Sequence, residues 1–534
     1  MKRTIVLLIL MTAVSTFLTM PIMASSEMVP VLVQAADVET AAQIVTDYGG
    51  RLNEQLAIIN AVSADVTARS MEAIAADSRT VAVHNDNMVE IAGHRTIRKS
   101  LSADFPQVMG ADEAWDENVK GDEIGIAIVD TGIANFSWNR RRILERYDAL
   151  DDGSRRQDPN GHGTMMASLA GNSLRDKNGY IGIAPKVNYI DVRTLDFEGK
   201  GTYTDIVEGL DWILTHKDEY NIRVVNLSLM SGVSGPYWTD PINQAVEALW
   251  DAGIVVVAAA GNGGSDPMTI SAPGNDPFVI TVGAFTDNYT PEDPSDDYIA
   301  PFSGAGPTEM GFVKPDVIAP GAHMLTMAPR NGYWAGEHKD LHISGNYYQI
   351  AGTSAATAVT SGVVALMLDQ NPGMTPDEVK YALMATAQTA AYEDGTLTWS
   401  ILQQGAGRVW AADAVLNPPE GEANAGMEPG EMYVGPVAYQ DGEFILVDAD
   451  GQPLADMEGY SWLGGYSWLG GYSWLGGYSW LGGYSWLGGY SWLGGYSWLG
   501  TADEWQPWIE DATWQSGYSW LGGYSWLGGY SWLG

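Results

Sequence analysis

The stretch EIGIAIVD at residues 123–130 is apolar from Ile124 to Val129 and ends on an acid, Asp130. A strand with one solvent-exposed face would alternate apolar and polar residues, and this stretch does not. Four further stretches are rich in Val and Ile in the same way: VNYIDVRTL (187–195), IRVVNLSLM (222–230), GIVVVAAAGN (253–262) and FVITVGAF (278–285). Such strands are typical of a parallel sheet whose two faces are both covered by helices.

Segments with helical spacing lie between these strands. TDIVEGLDWILTHKDEY (204–220) and DPINQAVEALWDAG (240–253) each place apolar residues three and four positions apart. The alternation predicts an α/β domain over residues 106–416, with a doubly wound, mainly parallel sheet flanked by helices. In such a sheet, ligands and catalytic groups gather at the carboxyl ends of the strands.

Two polar residues stand at positions that fit this edge. Asp130 ends the first buried strand and is followed by Thr-Gly, so its carboxylate can orient an imidazole, or equally bind a ribose, a metal or a turn amide. His162, in DPNGHGTMMASLAG, lies between two glycines at the start of a small-residue helix. A lone histidine is more often structural than catalytic, so neither residue decides the function alone.

Two more polar residues share this uncertainty when taken singly. Ser354 opens the small and aliphatic run of AGTSAATAVTSGVVALM (351–367), where a helix N-cap is the ordinary interpretation and a nucleophile beside backbone N–H groups is the alternative. Asn262 follows a buried strand in AAAGNGG. Its amide is suited to donate to an oxyanion, or to occupy a left-handed turn.

Taken together, the four residues resemble the subtilisin-like serine proteases, in which the catalytic groups follow the order Asp, His, Ser. The blocks IAIVDTGI, GHGT, AAAGN and GTS carry the resemblance in that order, supported by NLSL, KPDVIAPG and GIAP, across about residues 106–416. The resemblance implies that Ser354 is the nucleophile, His162 the base, Asp130 its orienting acid, and Asn262 a donor in the oxyanion hole. The chain departs from the family at Met165, where a histidine is usual.

The resemblance also implies a substrate-binding surface. Ser228, Leu229 and Met230 match the strand that pairs with extended substrate, although glycine is common where Met230 stands. The wall of the pocket for the residue before the cut is expected at Ala259, Ala260 and Gly261, with its floor near Ser271. No acid falls in these segments, which favours an apolar residue at that substrate position.

The region before the α/β domain contains two predicted segments. Residues 1–24 have a basic start at Lys2 and Arg3, an apolar stretch and a small-residue end at Ala24, which predicts a secretory signal peptide; an uncleaved helix is the alternative. Residues 29–92 have the order βαββαβ, typical of a small ferredoxin-like α+β unit. The resemblance implies that residues 25–105 are an inhibitory propeptide, with the processing point in the linker at 93–105.

Composition excludes some chemistry and some partners. The chain has 66 acids against 27 bases, a formal charge of -39, so nucleic acid is not an expected partner. It has no cysteine, which excludes thiol catalysis and disulfides. The resemblance implies polypeptide substrates and no cofactor for the chemistry. Structural calcium is frequent in the family, and DADGQPLAD (448–456) has calcium-like acid spacing, with a solvated hairpin turn as the alternative.

The carboxyl-terminal part differs in composition. Residues 417–458 are rich in Pro, Gly and acids, and predict an acidic linker with one hairpin. The hexapeptide GYSWLG then occurs seven times over residues 459–500 and three times over 517–534. A low-complexity tail and an aromatic array that contacts a cell surface or polysaccharide are both open interpretations. Two functions follow: a secreted, self-processed serine endopeptidase, or an adhesive surface protein whose protease-like domain is inactive.

Overall fold

The computed structural model describes residues 28–91, 103–150, 153, 157–392, 397–440, 443–447 and 451–453. The predicted signal peptide, most of the processing linker and the GYSWLG repeats lie outside these residues. Within the described part, no helix is both long and apolar enough to cross a bilayer.

The amino-terminal unit has the βαββαβ order that its sequence predicts. Asp37 caps the first helix by accepting the Thr40 N–H, and Thr67 caps the second by accepting the Ser70 N–H. The unit forms a four-stranded antiparallel sheet in the order β2-β3-β1-β4 with its own apolar core. Its elements, with a fifth strand after them, are β1 (Met28–Ala35), α1 (Val38–Asp47), β2 (Arg51–Leu56), β3 (Ala61–Thr67), α2 (Ala68–Ala75), β4 (Thr80–Asn85) and β5 (Met88–Ile91).

The second unit is the α/β domain. Its elements are α3 (Phe105–Val108), α4 (Ala111–Asp116), β6 (Gly125–Asp130), β7 (Ile143–Asp148), α5 (His162–Gly171), β8 (Arg175–Asp176), β9 (Gly179–Tyr180), β10 (Asn188–Arg193), β11 (Lys200–Thr202), α6 (Tyr203–His216), β12 (Ile222–Leu227), β13 (Leu229–Met230), α7 (Pro241–Asp251), β14 (Val255–Ala259), β15 (Ile280–Thr286), β16 (Tyr298–Ile299), β17 (Val317–Pro320), β18 (Met324–Met327), α8 (Tyr333–Glu337), β19 (His342–Ser344), β20 (Tyr347–Ile350), α9 (Thr353–Gln370), α10 (Pro376–Ala385), α11 (Ile401–Gln404) and α12 (Ala411–Leu416).

The main sheet confirms the α/β prediction. Its strands lie in the order β16-β15-β14-β12-β6-β10-β7, with β17 beside β15, and every pair except β15–β16 is parallel. The five stretches predicted as buried strands are β6, β10, β12, β14 and β15. Helix α9 packs against β12, β14, β15 and α5, and is buried from Thr353 to Leu368. The carboxyl ends of the central strands therefore meet at one edge, beside the start of α9.

The segment after α12 is more than a spacer. It contains the predicted hairpin, formed by β21 (Val437–Gln440) and β22 (Glu443–Leu446). Before the hairpin, the Tyr433 N–H donates to the Tyr237 hydroxyl at 3.0 Å, and the Gly435 N–H donates to the Met310 carbonyl at 2.7 Å. Residues 423–437 are bonded to the α/β domain at both ends, through Ala423 to Asp377 and Val437 to Gly311, although their Pro, Gly and acid content predicts a linker.

Candidate active site

Asp130 and His162 form a buried polar pair at the carboxyl edge of the sheet. Asp130 is the last residue of β6 and His162 is the first residue of α5. The His162 Nδ1 lies 2.8 Å from Asp130 Oδ2 and 2.9 Å from Oδ1, and the two residues are 0% and 2% exposed. A carboxylate on Nδ1 fixes the tautomer in which Nε2 accepts a proton.

The residue after His162 allows this close approach. A Cβ placed on Gly163 would lie 2.3 Å from the Gly132 carbonyl oxygen, so no larger residue fits without moving the backbone. The His162 Nε2 is buried and has no hydrogen-bond partner among the described residues. The imidazole is therefore held by Asp130 on one side and has an open acceptor on the other.

Ser354 is not the N-cap of its helix. Helix α9 is capped by Gly352, whose φ of 152° suits glycine, and Ser354 is the second residue inside the helix. Its Oγ donates to the Ser228 carbonyl at 3.1 Å, while the Ser228 hydroxyl donates to the Ser354 carbonyl at 2.9 Å. The hydroxyl thus lies at a helix start, where the dipole and backbone N–H groups favour negative charge.

Asn262 lies beside Ser354 with its amide in a defined orientation. The Asn262 Oδ1 accepts the Thr353 N–H and the Thr353 hydroxyl, each at 3.0 Å. Its Nδ2 is buried and has no partner in the part of the chain that the structure describes. The backbone of Asn262 does not have a positive φ, so the residue does not occupy a left-handed turn. A buried, unpartnered N–H₂ group next to a hydroxyl is suited to receive an oxyanion.

An open cleft of about 580 Å³ borders this site. Met230, Gly261, Asn262 and Ser271 contribute to its lining, and Ala259 and Ala260 are fully buried. A Cβ on Gly261 would lie 2.5 Å from the Ser271 hydroxyl oxygen, which places Ser271 directly across from Gly261.

Tyr203 contacts one wall of the cleft through Ser231. The hydroxyl of Tyr203 donates to Asp240 Oδ2 at 2.7 Å and lies 2.7 Å from the Ser231 Oγ, at the end of β13. Burial and the neighbouring Asp240 raise the pKa of Tyr203 far above its usual range, so the phenol stays protonated and keeps donating.

The sequence did not indicate the second edge of the cleft. Strand β11 lies opposite β13, and β5 of the amino-terminal unit runs antiparallel between them. Two glycines, Gly199 and Gly201, come just before the capping box of Thr202 and Asp205. That spacing was the available signal for an open edge strand, because glycine lets another backbone approach closely.

This arrangement supplies a held imidazole, a hydroxyl at a helix start, a buried amide donor and two strands that pair with the extended strand β5. Within the described residues, no three His or acid side chains cluster in a way that would hold a metal ion.

Comparison with known proteins adds independent information. A family model described as the subtilase family matches residues 121–407. Serine protease AprX of Bacillus subtilis (strain 168) is 38% identical over 305 residues, which cover 56% of this chain and 67% of that protein. Subtilisin DY of Bacillus licheniformis is 32% identical over 279 residues, which cover 52% of this chain and 88% of that protein.

A solved structure supports the fold. Fervidolysin from Fervidobacterium pennivorans, a keratinolytic enzyme related to subtilisin, aligns with a TM-score of 0.59 at 21% identity. The alignment covers 74% of this chain and 62% of fervidolysin.

Proposed function

Because the chain belongs to the subtilase family and is a serine endopeptidase, we propose that it is a secreted zymogen that removes its own amino-terminal segment. The observation that carries this proposal is β5: the cleft beside Ser354 already holds an extended strand of the same chain. Secretion rests on the signal-like sequence of residues 1–24.

In the proposed reaction, Ser354 Oγ leaves the Ser228 carbonyl and attacks the scissile carbonyl carbon, giving its proton to His162 Nε2. Asp130 holds the Nδ1 proton and stabilises the imidazolium. The Asn262 Nδ2 and the Ser354 N–H donate to the oxyanion. As the intermediate collapses, His162 returns the proton to the leaving amine, and water then hydrolyses the acyl-enzyme through the same groups.

The amino-terminal unit has the contacts expected of an intramolecular inhibitor. Asp86 accepts the Thr204 N–H at 2.9 Å and the Thr204 hydroxyl at 2.7 Å, at the start of α6. In β5, the Ile91 N–H donates to the Gly199 carbonyl at 3.2 Å, and Val89 is only 1% exposed. Backbone pairing with alternate side chains buried is how a strand-binding site recognises extended peptide.

We infer the bond that is cut from the pairing of β5 with β13. Met230 pairs with Glu90 and Leu229 pairs with Ile91. Ser228, whose carbonyl accepts the Ser354 hydroxyl, precedes Leu229 in the chain, and Ala92 follows Ile91. Residues 92–102 lie outside the described residues, and we propose that cleavage follows Ala92, directly before the linker at 93–105.

The GYSWLG repeats supply no group to the proposed reaction. Their regular Trp and Tyr residues carry no charge and offer ring faces that stack on sugars or on each other. We assign them to retention on a cell surface or polysaccharide. Calcium, where bound, would serve structure and not the chemistry.

Labelling with a serine-directed fluorophosphonate, followed by peptide mapping and intact-mass measurement of the secreted protein, tests the proposal. We expect one label, on Ser354, and an amino terminus at Gly93. An unlabelled protein that retains residues 28–91 would support the inactive adhesive alternative instead.

A further inference from the structure

Asp158 is a buried acid beside the site that the sequence did not single out. It lies four residues before His162 and is 4% exposed. Its Oδ1 accepts the Thr131 hydroxyl at 2.9 Å and the Gly161 N–H at 2.6 Å. Its Oδ2 accepts the Thr164 N–H at 3.0 Å and the Thr164 hydroxyl at 2.5 Å. One carboxylate therefore receives four hydrogen bonds.

These four donors belong to the two segments that carry the catalytic pair. Thr131 follows Asp130, and its N–H donates to Asp130 Oδ1 at 2.7 Å. Its hydroxyl oxygen also accepts the Gly163 N–H at 3.0 Å. Gly161 and Thr164 lie on either side of His162 in the chain. Asp158 thus joins the end of β6 to the start of α5 through direct hydrogen bonds.

We propose that Asp158 is a positioning residue that sets the His162 imidazole against Asp130 for the proposed reaction. It touches no substrate and acts through the backbone around His162. With the His162 N–H donating to Asn160 Oδ1 at 3.1 Å, the N–H groups of residues 161–164 are bonded to Asp158, Asn160 or Thr131. The backbone that carries the imidazole therefore has little freedom to shift relative to β6.

The charge state of Asp158 supports this assignment. Burial raises the pKa of Asp158 to about 6, although its hydrogen bonds from Thr164 and Gly161 oppose the shift. At pH 8 the carboxylate is ionised and accepts all four hydrogen bonds. A buried carboxylate is costly unless it is satisfied in this way.

Asp158→Asn is a sharp perturbation because each carboxylate oxygen accepts one backbone N–H. An amide replaces one oxygen by an NH₂ group, which cannot accept, so either Gly161 or Thr164 loses its acceptor whichever way the amide turns. Asp176→Asn is the matched control. Asp176 accepts the Ala103 N–H on one oxygen and the Asn178 N–H on the other, beyond the far end of α5.

The assay is peptide hydrolysis at pH 8 by mature enzyme, with each variant processed in trans by wild-type enzyme. We expect kcat of Asp158→Asn to fall roughly 10²-fold, as for a misplaced catalytic group, with KM within about threefold of wild type. The low-field proton NMR signal of the His162 Nδ1–H should shift or vanish. Asp176→Asn should keep wild-type kcat and the wild-type signal.

Two outcomes would overturn the proposal. One is a kcat for Asp158→Asn equal to that of Asp176→Asn. The other is the expected loss of kcat in Asp158→Asn with an unchanged NMR signal of the His162 Nδ1–H. If Asp158→Asn does not fold, Thr131→Val replaces it, with Thr131→Ser as its control. Valine should lower kcat several-fold and serine should not; equal values would count against the proposal. If the wild-type protein does not hydrolyse peptide through Ser354, that result would instead refute the proposed function on which this inference rests.

Discussion

Replacing Asn262 by alanine removes one donor from the proposed oxyanion hole, together with the acceptor of two hydrogen bonds from Thr353. In the folded protein the Asn262 Oδ1 holds two hydrogen bonds from Thr353, while the Nδ2 is buried without a partner among the described residues. Leaving a buried donor unpaired costs about 1–3 kcal/mol. We infer that this cost is recovered when the oxyanion forms, so the amide favours the transition state over the bound substrate.

The expected loss in kcat for Asn262→Ala is ~10²–10³-fold, or about 2.7–4 kcal/mol. That magnitude is the one known for an oxyanion-hole asparagine of subtilisin, a member of this same family. Thr353→Val should act more weakly, because the amide oxygen keeps the bond from the Thr353 N–H. Losing one hydrogen bond of about 1 kcal/mol corresponds to a roughly fivefold lower kcat.

The assay is steady-state hydrolysis of a chromogenic peptide, with kcat and KM determined separately on trans-processed enzyme. KM should stay within about threefold of wild type for both variants, since the ground-state carbonyl does not need the donor. Fluorophosphonate labelling of each variant checks that Ser354 is still in place. A kcat for Asn262→Ala within fivefold of wild type, or a KM that rises in parallel with the loss, would refute the assignment.

Two further predictions concern other parts of the chain. Ending the chain after Pro453 should leave peptide hydrolysis intact and reduce retention on cells or polysaccharide. Ending it after Leu416 should lower the melting temperature and the activity, because Tyr237 and Met310 lose their partners in residues 433–435. Equal melting temperature and activity of the two truncated proteins would contradict this prediction. Burial raises the pKa of Glu309 from its ordinary value near 4.5 to about 8, so its contribution to stability is full below about pH 4.5 and is lost as pH rises to about 8. In thermal unfolding between pH 5 and pH 9, the Glu309→Gln variant should therefore lose less stability than wild type. Parallel curves of stability against pH for the two proteins would refute this prediction.

The strands and the candidate catalytic residues were predictable because each depends on a local pattern. Apolar runs without alternation marked β6, β12 and β14, and polar residues at their ends marked Asp130 and Asn262. For Ser354 and Asn262, sequence alone left a cap and a left-handed turn open. The structure excludes both, because Gly352 is the cap and Asn262 does not have a positive φ.

The features that sequence did not predict depend on partners far along the chain. Residues 88–91 were assigned to the amino-terminal unit, yet as β5 they pair with β11 and β13, more than a hundred residues later. An extended segment does not carry the identity of its partner in its own pattern. Asp158 was missed for a related reason: one acid in a turn has no signature until its four donors are brought together by the fold.

The measurement that tests the central claim most directly is the intact mass of Ser354→Ala expressed in a host without other extracellular proteases. If Ser354 is the nucleophile, the variant should accumulate folded, with residues 28–91 still covalently attached, and should neither hydrolyse peptide nor react with fluorophosphonate. Wild type from the same host should begin at Gly93. A Ser354→Ala protein that matures at the wild-type rate there would contradict self-processing, and one that also hydrolyses peptide would contradict the assignment of Ser354 itself.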